Sequence, residues 1–109
     1  MAALWLRSLG FRIICCNFRD RYGEIDIIAE EDGVLVFTEV KYRSNDSSGT
    51  PGEAVNYHKQ RKICRTADWY MSRYQIPPDT PCRFDVIAAW SGRMKLWRNA
   101  FPYIPPGGK

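Results

Sequence analysis

The chain reads as a single α/β domain: a mixed β-sheet flanked by helices in the order α-β-β-β-α-β-β. Three observations predict it. Hydrophobic patterning switches between a period near two and a period near 3.6 in that order along the chain. The central hairpin is apolar over most of both faces, which marks interior strands. The length of 109 residues suits one undivided core that buries roughly two-thirds of the surface exposed by the unfolded chain.

Ala2 to Gly10 predicts a short helix closed by glycine at the C′ position, starting so near Met1 that part of it is expected to be missing. Phe11 to Phe18 is aromatic and β-branched and predicts a strand, and Asn17 to Gly23 a turn. The hairpin follows, Tyr22 to Ala29 and Val34 to Lys41, joined through Asp32-Gly33. That dipeptide signals a type I′ turn, because both central residues need positive φ. A two-residue loop pairs Glu31 with Val34 and sets Asp26 opposite Glu39 and Glu24 opposite Lys41, with facing Cβ atoms about 4.5–5.5 Å apart. A four-residue loop would set Asp26 opposite Phe37, yet leave it on the face of Glu39 and Lys41. Ile28, Leu35 and Phe37 share that face, while Ile25, Ile27, Val34, Val36 and Val40 make the other.

Arg43 to Gly52 reads as a flexible polar loop. A helix then runs to about Tyr74, capped either by the box Thr50-Pro51-Gly52-Glu53 or by Asn56. Ile63, Ala67, Tyr70, Met71 and Tyr74 make its buried stripe, which Lys59 continues at the helix start. Gln60, Arg61, Lys62 and Arg65 make its first half basic. Cys82 to Trp90 and Arg93 to Arg98 predict two strands around a Ser91-Gly92 turn. The domain is expected over 1–100, with 101–109 a fraying Pro/Gly-rich tail.

The net charge of +4 and a pI near 9.0 favour a polyanionic partner such as nucleic acid. Four cysteines form no metal-ligand spacing and are expected as reduced thiols, in keeping with a cytoplasmic protein. No secretory signal and no run of membrane-spanning length occurs.

Two carboxylates converging with a lysine two residues along a strand suit a hydrolytic Mg²⁺ or Mn²⁺ site. Hard divalent cations take oxygen ligands, polarise a phosphoryl oxygen and acidify bound water. The alternative is a simple alternation of charges on a half-exposed strand, with Glu24 and Lys41 as a cross-strand pair. It explains less well why Asp26 and Glu39 should face each other. Asp85, in Arg83-Phe84-Asp85, is expected in a structural ion pair with a neighbouring arginine, and His58 in a solvated or capping role. The tryptophans and tyrosines could stack on bases, but most are expected in the core.

Gly23-Glu24-Ile25-Asp26-Ile27-Ile28-Ala29 with Val36-Phe37-Thr38-Glu39-Val40-Lys41-Tyr42-Arg43 resembles the PD-(D/E)xK nuclease signature as it occurs in the YraN-like family of small bacterial proteins. Gly10-Phe11-Arg12-Ile13-Ile14, Glu53-Ala54-Val55, Lys59, Arg61, Ala67 and Arg83-Phe84-Asp85-Val86 extend the resemblance from about Ala2 to Trp90. The resemblance implies a restriction-endonuclease-like fold similar to archaeal Holliday junction resolvases, acting on branched or single-stranded DNA. It implies Asp26, Glu39 and the backbone carbonyl of Val40 as ligands of Mg²⁺ or Mn²⁺, and Lys41 as the residue that poises the water. Arg43, Lys59, Arg61 and Lys62 would grip the nucleic acid. Related sequences carry a Gly-Glu pair at the first helix where this chain has Met1-Ala2-Ala3, and Glu24 is an auxiliary carboxylate that would replace part of that charge. A homodimer is expected if two strands are cut by paired sites.

Overall fold

The computed structural model describes residues 1–43 and 54–107. The polar loop and the Thr50–Glu53 capping box fall largely outside them. Helix α1 (Ala2–Ser8) leads into β1 (Arg12–Arg19), β2 (Glu24–Glu31) and β3 (Val34–Tyr42); α2 (Tyr57–Arg73) then precedes β4 (Cys82–Trp90) and β5 (Arg93–Phe101). The strands form one mixed sheet in the order β1-β2-β3-β4-β5. Only the β3–β4 pair is parallel, and α2 makes the crossover between its two strands.

Local chemistry explains the ends of the elements. Gly10 sits at φ 101°, its N–H donates to the Arg7 carbonyl, and the Phe11 N–H donates to the Leu6 carbonyl. These are the paired bonds of a Schellman stop, for which a Cβ at positive φ is unfavourable. Asp32 and Gly33 take φ 51° and 82°, so Glu31 pairs with Val34 as the type I′ turn requires. The Asn56 side chain caps α2 by accepting from the Lys59 N–H at 2.9 Å. Asn56→Ala is expected to lower stability by about 1 kcal/mol, read as a shift in the urea midpoint; an unmoved midpoint would show that other contacts set the helix start.

The sheet is covered on both faces. Under α2 lie Ile25, Ile28, Leu35, Phe37, Ile63, Ala67, Tyr70, Phe84 and Phe101; under α1 lie Leu6, Phe11, Ile27, Ala29, Val36 and Ile87. Ile25 is therefore not on the face of Ile27, as strict alternation requires. Strand β1 changes face at the same level, since Cys15 and Phe18 both pack on the α2 side. Between them Asn17, opposite Asp26, adopts the left-handed φ of 55°, and the β1–β2 register itself shifts earlier, between Ile13 and Cys15.

Helix α2 buries Cys64 and Thr66 in addition to Ile63, Ala67 and Tyr70, whereas Tyr74 is exposed. The strand expected over Arg93 to Arg98 continues to Phe101. Beyond it, Ile104 is buried against α2. There the Arg65 guanidinium donates to the Ile104 carbonyl, and the Tyr103 hydroxyl donates to Asp68 at 3.0 Å. Burial of one isoleucine and these charged contacts outweighs the proline-rich composition. All four cysteines are free thiols, with Cys16 and Cys82 exposed. Among the described residues no helix is long and apolar enough to cross a membrane.

Asp85 is fully buried and paired as its sequence context suggests. Arg83 Nε lies 2.9 Å from Asp85 Oδ1, and the Asn99 N–H donates to the same oxygen at 2.9 Å. Arg83 also donates to Glu31, which Arg98 grips through both oxygens at 2.9 and 2.7 Å. This network lies at the start of β4 and the hairpin turn, away from the end of β3 where the candidate site forms.

Candidate active site

The backbone ladder between β2 and β3 runs from Glu31–Val34 to Ile27–Thr38 and then stops. Beyond it the strands part, and a side chain takes over a backbone role: the Val40 N–H donates to Asp26 Oδ2 at 2.7 Å. Asp26 is thus beside β3 and near Glu39, but not as a rung of a continuing ladder. Asp26 is half-buried in a groove of about 250 Å³ lined also by Ala2, Ala3, Asn17, Val40 and Tyr42. Its carboxylate still bears on the Glu39 carboxyl, the pairing that the hairpin register set up.

Glu39 follows Leu35 and Phe37 onto the α2 side of the sheet and is only 6% exposed. Its carboxyl is raised to about 7, first by burial and then by the nearby charge of Asp26, while Lys59 opposes the rise. Lys59 Nζ lies 3.3 Å from Glu39 Oε2. Sequence reasoning assigned Lys59 to the grip on nucleic acid and missed this pairing. The signal was its position on the buried stripe of α2, where a lysine needs an acidic partner.

The other expected residues fall into place unevenly. Lys41 is exposed two residues beyond Glu39, on the same strand face by alternation. Arg61 and Lys62 are exposed on the first half of α2, and Arg43 is half-buried with its N–H donated to the Ala89 carbonyl at 2.8 Å. Glu24 is not opposite Lys41, because the ladder has ended; it pairs with Arg19 Nε at 3.4 Å across β1. His58 is exposed. Asn17 and Tyr42, which line the Asp26 groove, carried no sequence signal for the site. Among the described residues no three His, Cys, Asp or Glu side chains converge on one point.

The turn before β2 is tied to α2. The Tyr22 and Gly23 N–H groups and the Thr66 hydroxyl donate to Asp20 Oδ1 at 2.8, 3.1 and 3.1 Å. A Cβ on Gly23 would lie 3.9 Å from Lys62 Cβ, so turn and helix are in close contact. The turn, the first half of α2 and the end of β3 therefore share one rim, with the carboxylates in it.

Residues 1–89 match the family described as "Uncharacterised protein family UPF0102". The chain belongs to the UPF0102 family. It is 50% identical over 105 residues to a UPF0102 protein of Symbiobacterium thermophilum, covering 92% of this chain and 88% of the relative. A UPF0102 protein of Lachnoclostridium phytofermentans is 48% identical over 100 residues, covering 92% and 85%. The UPF0102 protein YraN of Salmonella typhi is 41% identical over 101 residues, covering 92% and 77%. The expected YraN-like membership therefore holds for this UPF0102 chain.

Proposed function

We propose that this UPF0102 protein is a divalent-metal-dependent endonuclease of the PD-(D/E)xK type, hydrolysing phosphodiesters in branched or single-stranded DNA. The observation that carries the reading is the convergence of Asp26 and Glu39 where β2 and β3 part. Two carboxylates brought together, one nearly buried and held at a raised pKa, are costly unless a cation is to be bound there.

The donor set fits Mg²⁺ or Mn²⁺, which use one or two carboxylates together with water and substrate oxygens. Asp26 and Glu39 would hold the ion, with the Val40 carbonyl as a further oxygen. Such an ion supplies Lewis acidity toward the phosphoryl group and a more acidic water. The protein's own residues do the rest. The Val40 N–H fixes the Asp26 carboxylate. Lys41 orients the attacking water and offsets charge developing on the phosphate. Lys59 neutralises Glu39 in the absence of a cation, and Arg43, Arg61 and Lys62 contact the DNA backbone.

A second reading is a DNA-binding module without turnover. The ammonium of Lys59 on Glu39 and the lack of a third converging carboxylate among the described residues favour it. The two are separated by incubating single-stranded, duplex and four-way-junction DNA with Mg²⁺ or Mn²⁺. Nuclease action predicts cleavage of at least one of them that Asp26→Ala reduces to background. Wild type and Asp26→Ala equally inactive on all three would leave only the binding module.

A further inference from the structure

The tyrosines depart from the expectation that most aromatic rings lie in the core. All four tryptophans are partly buried, but five of six tyrosines are exposed. Tyr74 and Tyr103 are engaged at the far half of α2, Tyr74 against Tyr70 and Tyr103 with Asp68. The other three, Tyr22, Tyr42 and Tyr57, are 43%, 78% and 48% exposed, and they stand on the turn before β2, the end of β3 and the start of α2, the three elements that meet at the carboxylates. Tyr42 lines the Asp26 groove on the α1 side. Tyr57 opens α2 two residues before the lysine that pairs with Glu39. Tyr22 stands in the turn that touches Lys62, with the Arg21 guanidinium 5.9 Å from its ring centroid.

We infer that this rim binds single-stranded DNA by stacking its bases on Tyr42 on one side of the carboxylates and on Tyr57 and Tyr22 on the other. The inference rests on the nuclease reading for the choice of DNA, and it narrows the substrate to the unpaired form. Exposed aromatic rings cost solvation and contribute nothing to a duplex grip, because duplex bases are already stacked on one another. A single strand offers free base faces to such rings, and exposed Arg19, Arg21, Lys41, Arg61 and Lys62 supply the complementary charge for its backbone. Stacking is tolerant of sequence, since every base has a π-face.

The test is a fluorescence-anisotropy titration with EDTA present, so that no cleavage intervenes. The probes are a labelled mixed-sequence DNA oligonucleotide, its blunt duplex and an RNA of the same sequence. Wild type is expected to bind the DNA strand at least about tenfold more tightly than the duplex. Tyr42→Leu and Tyr57→Leu are each expected to weaken strand binding about tenfold while leaving duplex binding unchanged. Both tyrosines are surface residues, and matching circular dichroism and urea midpoints confirm folding. Strand affinity that survives both substitutions overturns the inference, as does a duplex bound as tightly as the strand. RNA bound more tightly than DNA overturns the assignment to DNA. The nuclease reading fails separately, through absence of metal-dependent cleavage by a protein whose tyrosine-dependent binding is intact.

Discussion

Arg83→Met is expected to lower folding stability by about 3–5 kcal/mol, the usual cost of leaving a buried charge without its partner. Asp85 has no exposed surface, and Arg83 meets it with Nε at 2.9 Å and a second nitrogen at 3.1 Å. After substitution, the Asn99 N–H would remain on Asp85 Oδ1, but one hydrogen bond cannot replace a bidentate cation. Glu31 would keep Arg98 and lose Arg83. Chemical denaturation measures the loss as a fall in midpoint at constant slope. The double substitution Arg83→Met/Asp85→Leu should recover part of it, because it removes the orphaned charge along with its partner. A loss under about 1 kcal/mol would mean that water reaches Asp85 once the arginine is gone. The same network has an acid limit. Glu31 is lowered to about 2, first by the hydrogen bond from Arg98. Its contribution is present above the usual carboxylate range and fades as pH falls toward 2.

Glu39 is expected to act in the opposite sense. Its carboxyl rises from 4.5 to about 7, so the folded chain takes up a proton before the unfolded chain does. Without metal, the Glu39 contribution to stability is therefore greatest below about pH 4.5 and declines as pH rises toward 7, by up to about 3 kcal/mol. Glu39→Gln cannot titrate and should flatten that slope and raise stability at pH 8. Glu39 is raised even with Lys59 3.3 Å away and opposing the rise, so the charge of Lys59 does not cancel the gain. Urea midpoints collected from pH 4.5 to 8 for both proteins provide the comparison. Parallel profiles would place the Glu39 carboxyl at an ordinary pKa. Calorimetric titration with Mn²⁺ adds a second arm: wild-type binding should strengthen up to about pH 7, where the metal no longer competes with a proton, and Glu39→Ala should not bind. Equal Mn²⁺ binding by wild type and Glu39→Ala would remove Glu39 from the metal site.

Asp32-Gly33, Gly10, Asn56 and the Arg83–Asp85 pair were all legible in the chain, because each acts within a few residues of itself. The hairpin register followed from its turn, and with it the arrival of Asp26 and Glu39 at the same end of the sheet. Other features belong to contacts between distant segments. Ile25 and Ile27 belong to different cores, and Asp26 between them lines a groove beside α1, opposite the left-handed Asn17 of β1. No periodicity within β2 contains that information. The pairing of Lys59 with Glu39 depends on where the crossover helix lands on β3, and that of Glu24 with Arg19 on where the β2–β3 ladder ends.

The sequence by itself determined an α/β chain, a type I′ hairpin and two carboxylates and a lysine at its open end, since turn chemistry and strand period are local. Only the tertiary structure decided which elements surround each carboxylate, that Lys59 pairs with Glu39, and that Tyr22, Tyr42 and Tyr57 are exposed. Those outcomes rest on burial and charge shared between β1, β3 and α2, which are brought together by folding and not by proximity along the chain.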